Sequence, residues 1–446
     1  MPADSRKPVP VSRAAWLDFG MGLALTAVLI VLKIVFEHSA FGQQVELIAL
    51  NLQQLRLGWA AGNQLPVTVV DISKLPRIPR TAAAGAEIVT DRKAVLKVVR
   101  KIAEQSPAAI GIDVLLDPPA EAPGLTGDEA ELLEFCLAVQ NLRGERIPTF
   151  VGIFDGVVKG PSQWLGDERF GHLGAYTVVP RPAEHPVTTS MIRGIEIKVG
   201  STTIQARSMA EALAAAHAVQ ETTRRWLGRA LHVVFPFFLE RERDVKEDLF
   251  TTREFAIDFG SLPGLKDTTV PDLAAEAAGL DEAIQGARDR LKGKIVLVGR
   301  ARTGETTDTF TVPAQAEPVT GVYVHAAATY TLVKAPLFKL TPLGRIAADI
   351  AAALVPLGVV LMVRLKSSRR HADAAADHRL ARWLTRGTAA LVFAFGYFWV
   401  AFTGILWIDY LLVIAALLLH GPLERSWAAV TRVLQGRPAS AERGHS

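Results

Sequence analysis

The chain has 446 residues, a formal charge of +4 and a mean hydropathy of +0.24, with 50% of its residues hydrophobic. Soluble domains average about 45–50% apolar even with glycine counted, so this composition argues against an ordinary soluble enzyme. The single cysteine, Cys136, excludes an intrachain disulfide framework and a cysteine-rich metal site.

Residues 1–15 form a tail with Arg6, Lys7 and Arg13. Residues 16–36, WLDFGMGLALTAVLIVLKIVF, follow as an apolar run of 21 residues, and a membrane helix needs about 20. Asp18 and Lys33 fall near its ends, where long side chains reach the interface. A cleaved signal peptide is the rival reading, but EHSAFGQQ after the run offers no A-x-A-like site. Val45, Ile48, Leu52, Leu55 and Trp59 then repeat at heptad spacing. That seam reads either as a helix packed on its own domain or as the stalk of a homodimer.

An α/β pattern begins at PVTVVDI (66–72), a short β-branched run typical of a buried strand. The stretch TDRKAVLKVVRKIAEQS predicts a helix N-capped by Asp91. AAIGIDVLL (108–116) predicts the next strand, and strand, helix and strand in that order make a parallel βαβ unit. A helix over 127–140 and a strand over 147–154 extend the pattern. IEIKV-GS-TTIQA predicts a hairpin turning at Gly200 and Ser201. Ser208 and Glu211 make a capping box for a helix running to about Trp226. FAIDFG (255–260) and KIVLVGR (294–300) complete the predicted strands, and GVYVHAAATYTLV (321–333) reads as a short strand or turn passing into a helix.

Residues 343–363 form a second long apolar run, within which Arg345 and Asp349 are spaced to pair across one helical turn. The apolar stretch 388–423 would make a helix of about 54 Å, too long for one crossing of a hydrocarbon core about 30 Å thick. It divides into spans over 387–403 and 405–423 with a turn near Thr403 and Gly404, flanked by Trp399, Trp407 and Tyr410 as interface aromatics. The N-terminal tail, the loop 364–386 and the tail 424–446 are all basic, which places them and both termini in the cytoplasm by the positive-inside rule. The segment 37–342 then lies outside, with 33 basic and 37 acidic residues. The positive charge is therefore a topology signal and not a nucleic-acid footprint; the partner it implies is the lipid bilayer. The expected architecture is an α/β extracytoplasmic domain with a mixed, largely parallel sheet, plus a four-helix transmembrane bundle.

Two stretches carry a family resemblance. A first apolar span, then VVDI, then DRKAVLKVVRKIAEQSPAAIGIDVLLDPP resembles the start of the extracellular sensory domain CHASE type 2. LKGKIVLVGRARTGETTDTFTVPAQAEPVTGVYVHAAATYTLVKAP is similar to that domain's C-terminal pattern, and three further spans are its usual sequel. The resemblance extends from 16 to 423 and is closest at these two ends. It implies bacterial envelope signalling from the inner membrane, with a histidine kinase, cyclase or Ser/Thr kinase as the usual output. This chain carries no Walker A sequence and no H-R-D loop, and only a short tail follows the last span. The output is therefore expected to lie in a separate cytoplasmic or membrane effector, such as a kinase, cyclase or protease.

Ligands of open α/β sheets bind at the carboxyl ends of the strands. That rule selects Asp71, Asp113 and the loop GRARTGETTD (299–308), with Arg300, Arg302 and Asp308. Each aspartate reads either as a ligand contact or as a carboxylate that caps a helix or pairs with an arginine. The loop reads as an anion holder or as an ordinary surface loop. His325, at the start of the last predicted helix, reads as a pH-sensitive contact or as a packing residue. His172, His185, His217 and His232 lack metal-ligand spacing, and no nucleophile–base or carboxylate pair stands out. Neither catalysis nor a metal or cofactor is expected. The leading expectation is a membrane sensor binding a small molecule or an envelope protein; the alternative is a non-enzymatic scaffold subunit of a membrane complex.

Overall fold

The computed structural model describes residues 13–37, 39–61, 65–80, 88–116, 125–140, 146–153, 162–180, 187–217, 223–247, 250–270, 277–306, 308–367, 374–419 and 426. The chain begins with α1 (Arg13–Glu37) and α2 (Ala40–Ala61). Then come β1 (Val67–Asp71), α3 (Arg92–Ala103), β2 (Ala109–Ile112), α4 (Gly127–Val139), β3 (Thr149–Ile153) and β4 (Gly174–Tyr176). Helices α5 (Met209–Ala215), α6 (Thr223–Val234) and α7 (Leu262–Thr268) precede β5 (Ile295–Gly299) and α8 (Gly321–Val333). Last are α9 (Pro342–Ser367), α10 (Ala374–Thr403) and α11 (Tyr410–Leu419).

The five labelled strands form one sheet in the order β1-β5-β2-β3-β4, and every pair is parallel. The expected mixed sheet is thus corrected to a parallel one, with antiparallel pairs confined to small sheets. The reason is burial. β1, β2 and β5 are buried at every position, so both faces need cover. The hairpin Gly194–Val199 with Thr202–Arg207 alternates exposed and covered residues and forms a sheet of its own.

Strand periodicity divides the core in two. Val70, Ile110, Ile112, Val151, Val296 and Val298 face α3 and α4 in one cluster. Val67, Val69, Ala109, Ile295 and Leu297 face α5, α7 and α8 in the other. Asp91 caps α3, its carboxylate accepting from the Lys93 and Ala94 amides. Cys136 is buried among the first cluster, and burial pushes its thiol up to about 12.

Several expected elements differ. The strand 108–116 ends at Ile112, so Asp113 stands just beyond it. The helix expected from Ser208 to Trp226 is two helices, α5 and α6, with 218–222 outside the described residues. FAIDFG keeps strand geometry only to Ala256; Asp258 then accepts from the Gly260 amide and starts a tight turn into α7. Residues 321–333 are helical throughout. The basic loop 364–386 is helical at both ends, since α9 reaches Ser367 and α10 starts at Ala374, where AAADHRLARWLTR is rich in helix formers.

Among the described residues, the segment Arg386–Thr403 of α10 is by itself long and apolar enough to cross a membrane. Leu23–Glu37 and Ala40–Gly58 reach that standard only together, across a 90° bend. The full four-helix bundle is therefore not established by helix length and hydropathy.

The helices beyond the sheet are joined by polar contacts that the sequence reading placed otherwise. Lys33 is buried in the protein: its ammonium donates to Asp349 of α9 and Asp409 beside α11, and lies 2.8 Å from Glu37. Arg345 faces Glu46 of α2 at 3.7 Å rather than Asp349. Trp407 and Tyr410, expected as interface aromatics, are buried among Ala49, Ala389, Val392 and Val413. The heptad seam of α2 is not its buried stripe: Ile48 and Leu55 are exposed, while Ala49, Gln53 and Leu57 are covered. Polar pairing selects that face, because the Gln53 amide donates to the Gly396 and Trp407 carbonyls at 2.8 and 3.3 Å.

Candidate functional site

The carboxyl ends of β1, β5 and β2 carry Asp71, Gly299 and, one residue on, Asp113. All three continue the strand positions that face α8, because side chains alternate along a strand. The chain leaves β1 and β2 for helices on one face and leaves β5 for α8 on the other. Neighbouring strands whose connections part in this way open a crevice at their carboxyl ends.

Asp71 closes one side of that crevice. Its Oδ1 accepts from the Ser73 amide at 2.9 Å, the Ser73 hydroxyl at 2.6 Å and the Ala301 amide at 3.0 Å. Arg302 Nε lies 3.4 Å from Asp71 Oδ2, and the Arg302 amide donates to Ser73 Oγ at 3.1 Å. The loop after β5 is thereby latched to the end of β1. Arg300 turns the other way and donates to Thr90 Oγ1 at 2.8 Å. The Ala301 and Arg302 amides and the guanidiniums of Arg300 and Arg302 are engaged with the chain itself.

Asp113 is different. Among the described residues its half-buried carboxylate has no hydrogen-bond or ion partner. Burial pushes it up to about 7. Gly299 makes room beside it: a Cβ there would sit 2.8 Å from Val322 Cγ2 and 3.2 Å from Asp113 Cβ.

The third wall is the first turn of α8. A side chain on Gly321 would run into the Asp308 carboxylate, which places that anion against the helix N-terminus, where the dipole favours it. Thr320 precedes the helix with its Oγ1 buried and without a partner. His325 is fully buried, and its Nε2 lies 2.9 Å from the Thr177 carbonyl beyond β4. Burial lowers its pKa against the pull of Asp308, so the ring is neutral and Nε2–H donates to Thr177. Nδ1 is left as a buried acceptor without a partner. Tyr323 adds a hydroxyl 3.0 Å from Thr269 Oγ1.

The structure thus places Asp71, Asp113, Arg302 and Asp308 at the carboxyl ends of the strands and the start of α8, with His325 one turn along that helix, while Arg300 is directed to Thr90 on the other face. Asp71 and Arg302 build the wall of the crevice; Asp113 and His325 retain unused acceptor capacity. Ser73, Thr320 and Tyr323 were missed by sequence reasoning. The D-I-S spacing of Asp71 and Ser73 is a local turn signal that points to Ser73; Tyr323 has no such signal. The described residues contain no cluster of His, Cys, Asp or Glu able to hold a metal ion. A separate pocket of about 170 Å³, lined by Phe150, Leu165, His172, Gln205 and Arg207, sits toward the amino ends of β3 and β4 and contains no carboxylate.

A parallel sheet covered on both faces, with its crevice at the carboxyl edge, places this domain in the α/β class. The chain belongs to the CHASE2 domain family, which matches residues 24–361. CHASE2 is a sensory domain of the extracellular type. No curated protein and no solved structure matches the chain.

Proposed function

We propose that this protein is a non-enzymatic sensor of the bacterial inner membrane, in which the α/β domain binds an envelope ligand in the carboxyl-end crevice and α2 carries the change to the membrane helices. Segments 16–36, 343–363, 387–403 and 405–423 cross the membrane, both termini are cytoplasmic, and a separate effector reads the helices. The acceptor-rich crevice favours a ligand that brings hydrogen-bond donors or positive charge to Asp113 and His325.

One observation carries the reading. Two adjacent residues of α2 reach in different directions: Gln54 bonds the Ile257 carbonyl and the Gly260 amide of the α/β domain, and Gln53 bonds Gly396 of α10 and the Trp407 carbonyl. A displacement of α2 relative to either body breaks one of these sets. A ligand biases such an element only through differential affinity for its two positions.

Orientation is tested with alkaline phosphatase fusions. A fusion after Gln205 should be active and one after Ser368 inactive; the reverse overturns the topology. Sensing is tested by thermal shift of the full-length protein against small cationic and amine metabolites. Stabilisation that Asp113→Asn abolishes supports the crevice, and stabilisation indifferent to that change overturns it.

A further inference from the structure

α6 and the segment after it expose a run of apolar side chains. Trp226 is 62% exposed, Val233 79%, Val234 65%, Phe235 45% and Phe237 77%. At about 100° per residue, Trp226 and Val233 lie within about 20° of each other on the helix. Gly228 and His232 lie on the opposite side. That opposite side is the docked one: Gly228 backs onto the Phe338 ring, and the His232 and Phe338 ring centroids are 6.2 Å apart. The helix is therefore anchored by the Gly228 side, with Trp226, Val233 and Val234 outward.

Its position decides what covers that face. The Phe237 carbonyl accepts from the Thr341 hydroxyl at 2.6 Å, and the Phe238 carbonyl from the Thr341 amide at 3.1 Å. Thr341 immediately precedes α9. Strands Leu239–Glu240, Phe338–Leu340 and Ile405–Leu406 form one sheet, which ties the end of α6 to the start of α9 and to the turn after α10. α6 itself packs against α10. It is held at the level where these long helices end. Trp226, Val233 and Val234 exposed on α6, Phe235 and Phe237 exposed just after it, and Arg229 exposed beside them are the composition of a segment lying in a bilayer interface.

We propose that α6 and the Phe235–Phe237 segment form an in-plane membrane-surface anchor, with Trp226, Val233 and Phe237 inserted in the outer-leaflet boundary of the bilayer. This rests on the reading that α10 crosses the membrane. The anchor fixes the height and tilt of the α/β domain above the bilayer.

The test places bimane on single cysteines in full-length protein carrying Cys136→Ala, reconstituted in phosphatidylcholine–phosphatidylglycerol vesicles with or without brominated acyl chains. The labelled positions are Val233→Cys, Phe237→Cys, Leu391→Cys on α10 as the membrane control, and Thr203→Cys on the exposed hairpin as the water control. Bromolipid should quench the 233, 237 and 391 labels at least about two-fold and leave 203 unchanged, while aqueous iodide quenches 203 alone. Quenching at 391 without quenching at 233 and 237 overturns the anchor and leaves the spanning reading intact. Absence of quenching at 391 overturns both. Labels at 233 and 237 shielded from bromolipid and iodide alike would mean that a protein covers this face, and would also overturn the proposal.

Discussion

Lys33 of α1 donates its buried ammonium to the Asp349 carboxylate of α9, and the same ammonium also donates to Asp409. Lys33 is 7% exposed, Asp349 3% and Asp409 0%, so none of the three charges is compensated by bulk water. The contact joins three helices that are remote in sequence. Removing the cation alone leaves the buried carboxylates of Asp349 and Asp409, and that of Glu37 beside them, without their cation, and breaking a buried pair in this way costs about 3–5 kcal/mol. Lys33→Met should therefore sharply lower the thermal stability of the detergent-solubilised protein. The fourfold change Lys33→Met, Glu37→Gln, Asp349→Leu, Asp409→Leu should recover most of it, because replacing the whole cluster, including the Glu37 carboxylate 2.8 Å from Lys33, leaves no stranded charge. A single Lys33→Met variant as stable as the parent would remove the cluster from any role in holding these helices.

A second buried pair sits in the α/β domain. Arg80 donates to both oxygens of Glu129, at 2.9 and 2.7 Å, and Glu129 Oε2 also accepts from the Thr126 amide at 2.9 Å as half of the α4 capping box. Burial opposes ionisation of Glu129, but the bonds from Arg80 and Thr126 outweigh it and hold the carboxyl below its ordinary value. A depressed carboxylate contributes stability that is present above its unfolded value, about 4.3, and is lost as pH falls through the folded value. Glu129→Gln should destabilise the protein by about 3–5 kcal/mol at neutral pH by stranding Arg80. It should also flatten the acid limb of stability, measured by chemical denaturation from pH 3 to pH 7. An unchanged acid limb would show that this carboxylate is not among those driving acid unfolding.

Asp113 predicts the opposite sign. Its carboxyl lies at about 7 in the folded protein against 3.8 for the unperturbed group, so the fold disfavours the ionised form. Stability therefore falls as pH rises from about 4 to about 7, with a total bounded by about 4 kcal/mol. Asp113→Asn should raise the melting temperature at pH 8 and leave it unchanged at pH 4. A gain of stability on replacing a partnerless carboxylate is what a binding residue shows when the fold tolerates it at a cost. Equal effects at both pH values would mean that the change acts through packing against Gly299 and Val322.

Four of the five sheet strands were legible because they are short, largely apolar runs, a pattern that parallel burial on both faces produces directly; the edge strand β4, with the sequence GAY, carries no such pattern and was missed. The capping roles of Asp91, Thr126 and Ser208 follow from local spacing, and Asp91 and Ser208 were readable for that reason. The placement of Asp71, Asp113 and the 299–308 loop along one edge followed from the strand-end rule. The inequality among them did not. That Asp71 also finds Ala301 and Arg302, and that Asp113 finds nothing, depends on the insertion of β5 between β1 and β2, which is a long-range event. The same holds for Lys33, whose two aspartate partners lie more than 300 residues away, and for Arg345, which local helical spacing assigned to Asp349 and tertiary packing gave to Glu46. α2 failed for a related reason. Its apolar heptad was visible, yet the buried stripe is set by two glutamines whose partners are backbone carbonyls and amides in other elements.

Those glutamines give the last prediction. Gln54 Nε2 donates to the Ile257 carbonyl at 3.0 Å, and its Oε1 accepts from the Gly260 amide at 3.1 Å. Gln53 donates to the Gly396 carbonyl at 2.8 Å. Each removal leaves buried backbone groups short of a partner, at about 1–3 kcal/mol per site. The two losses should appear on different bodies. Gln54→Ala should raise hydrogen exchange in 257–262 of the α/β domain and in the C-terminal half of α2, while Gln53→Ala should raise it in α10 near Gly396. The doubly substituted protein should lose the single cooperative melt and unfold in two steps, domain and helices separately. If both single variants exchange like the parent outside α2, then α2 is a passive connector, and the link between the crevice and the helices must run through α8 and the 338–340 strand instead.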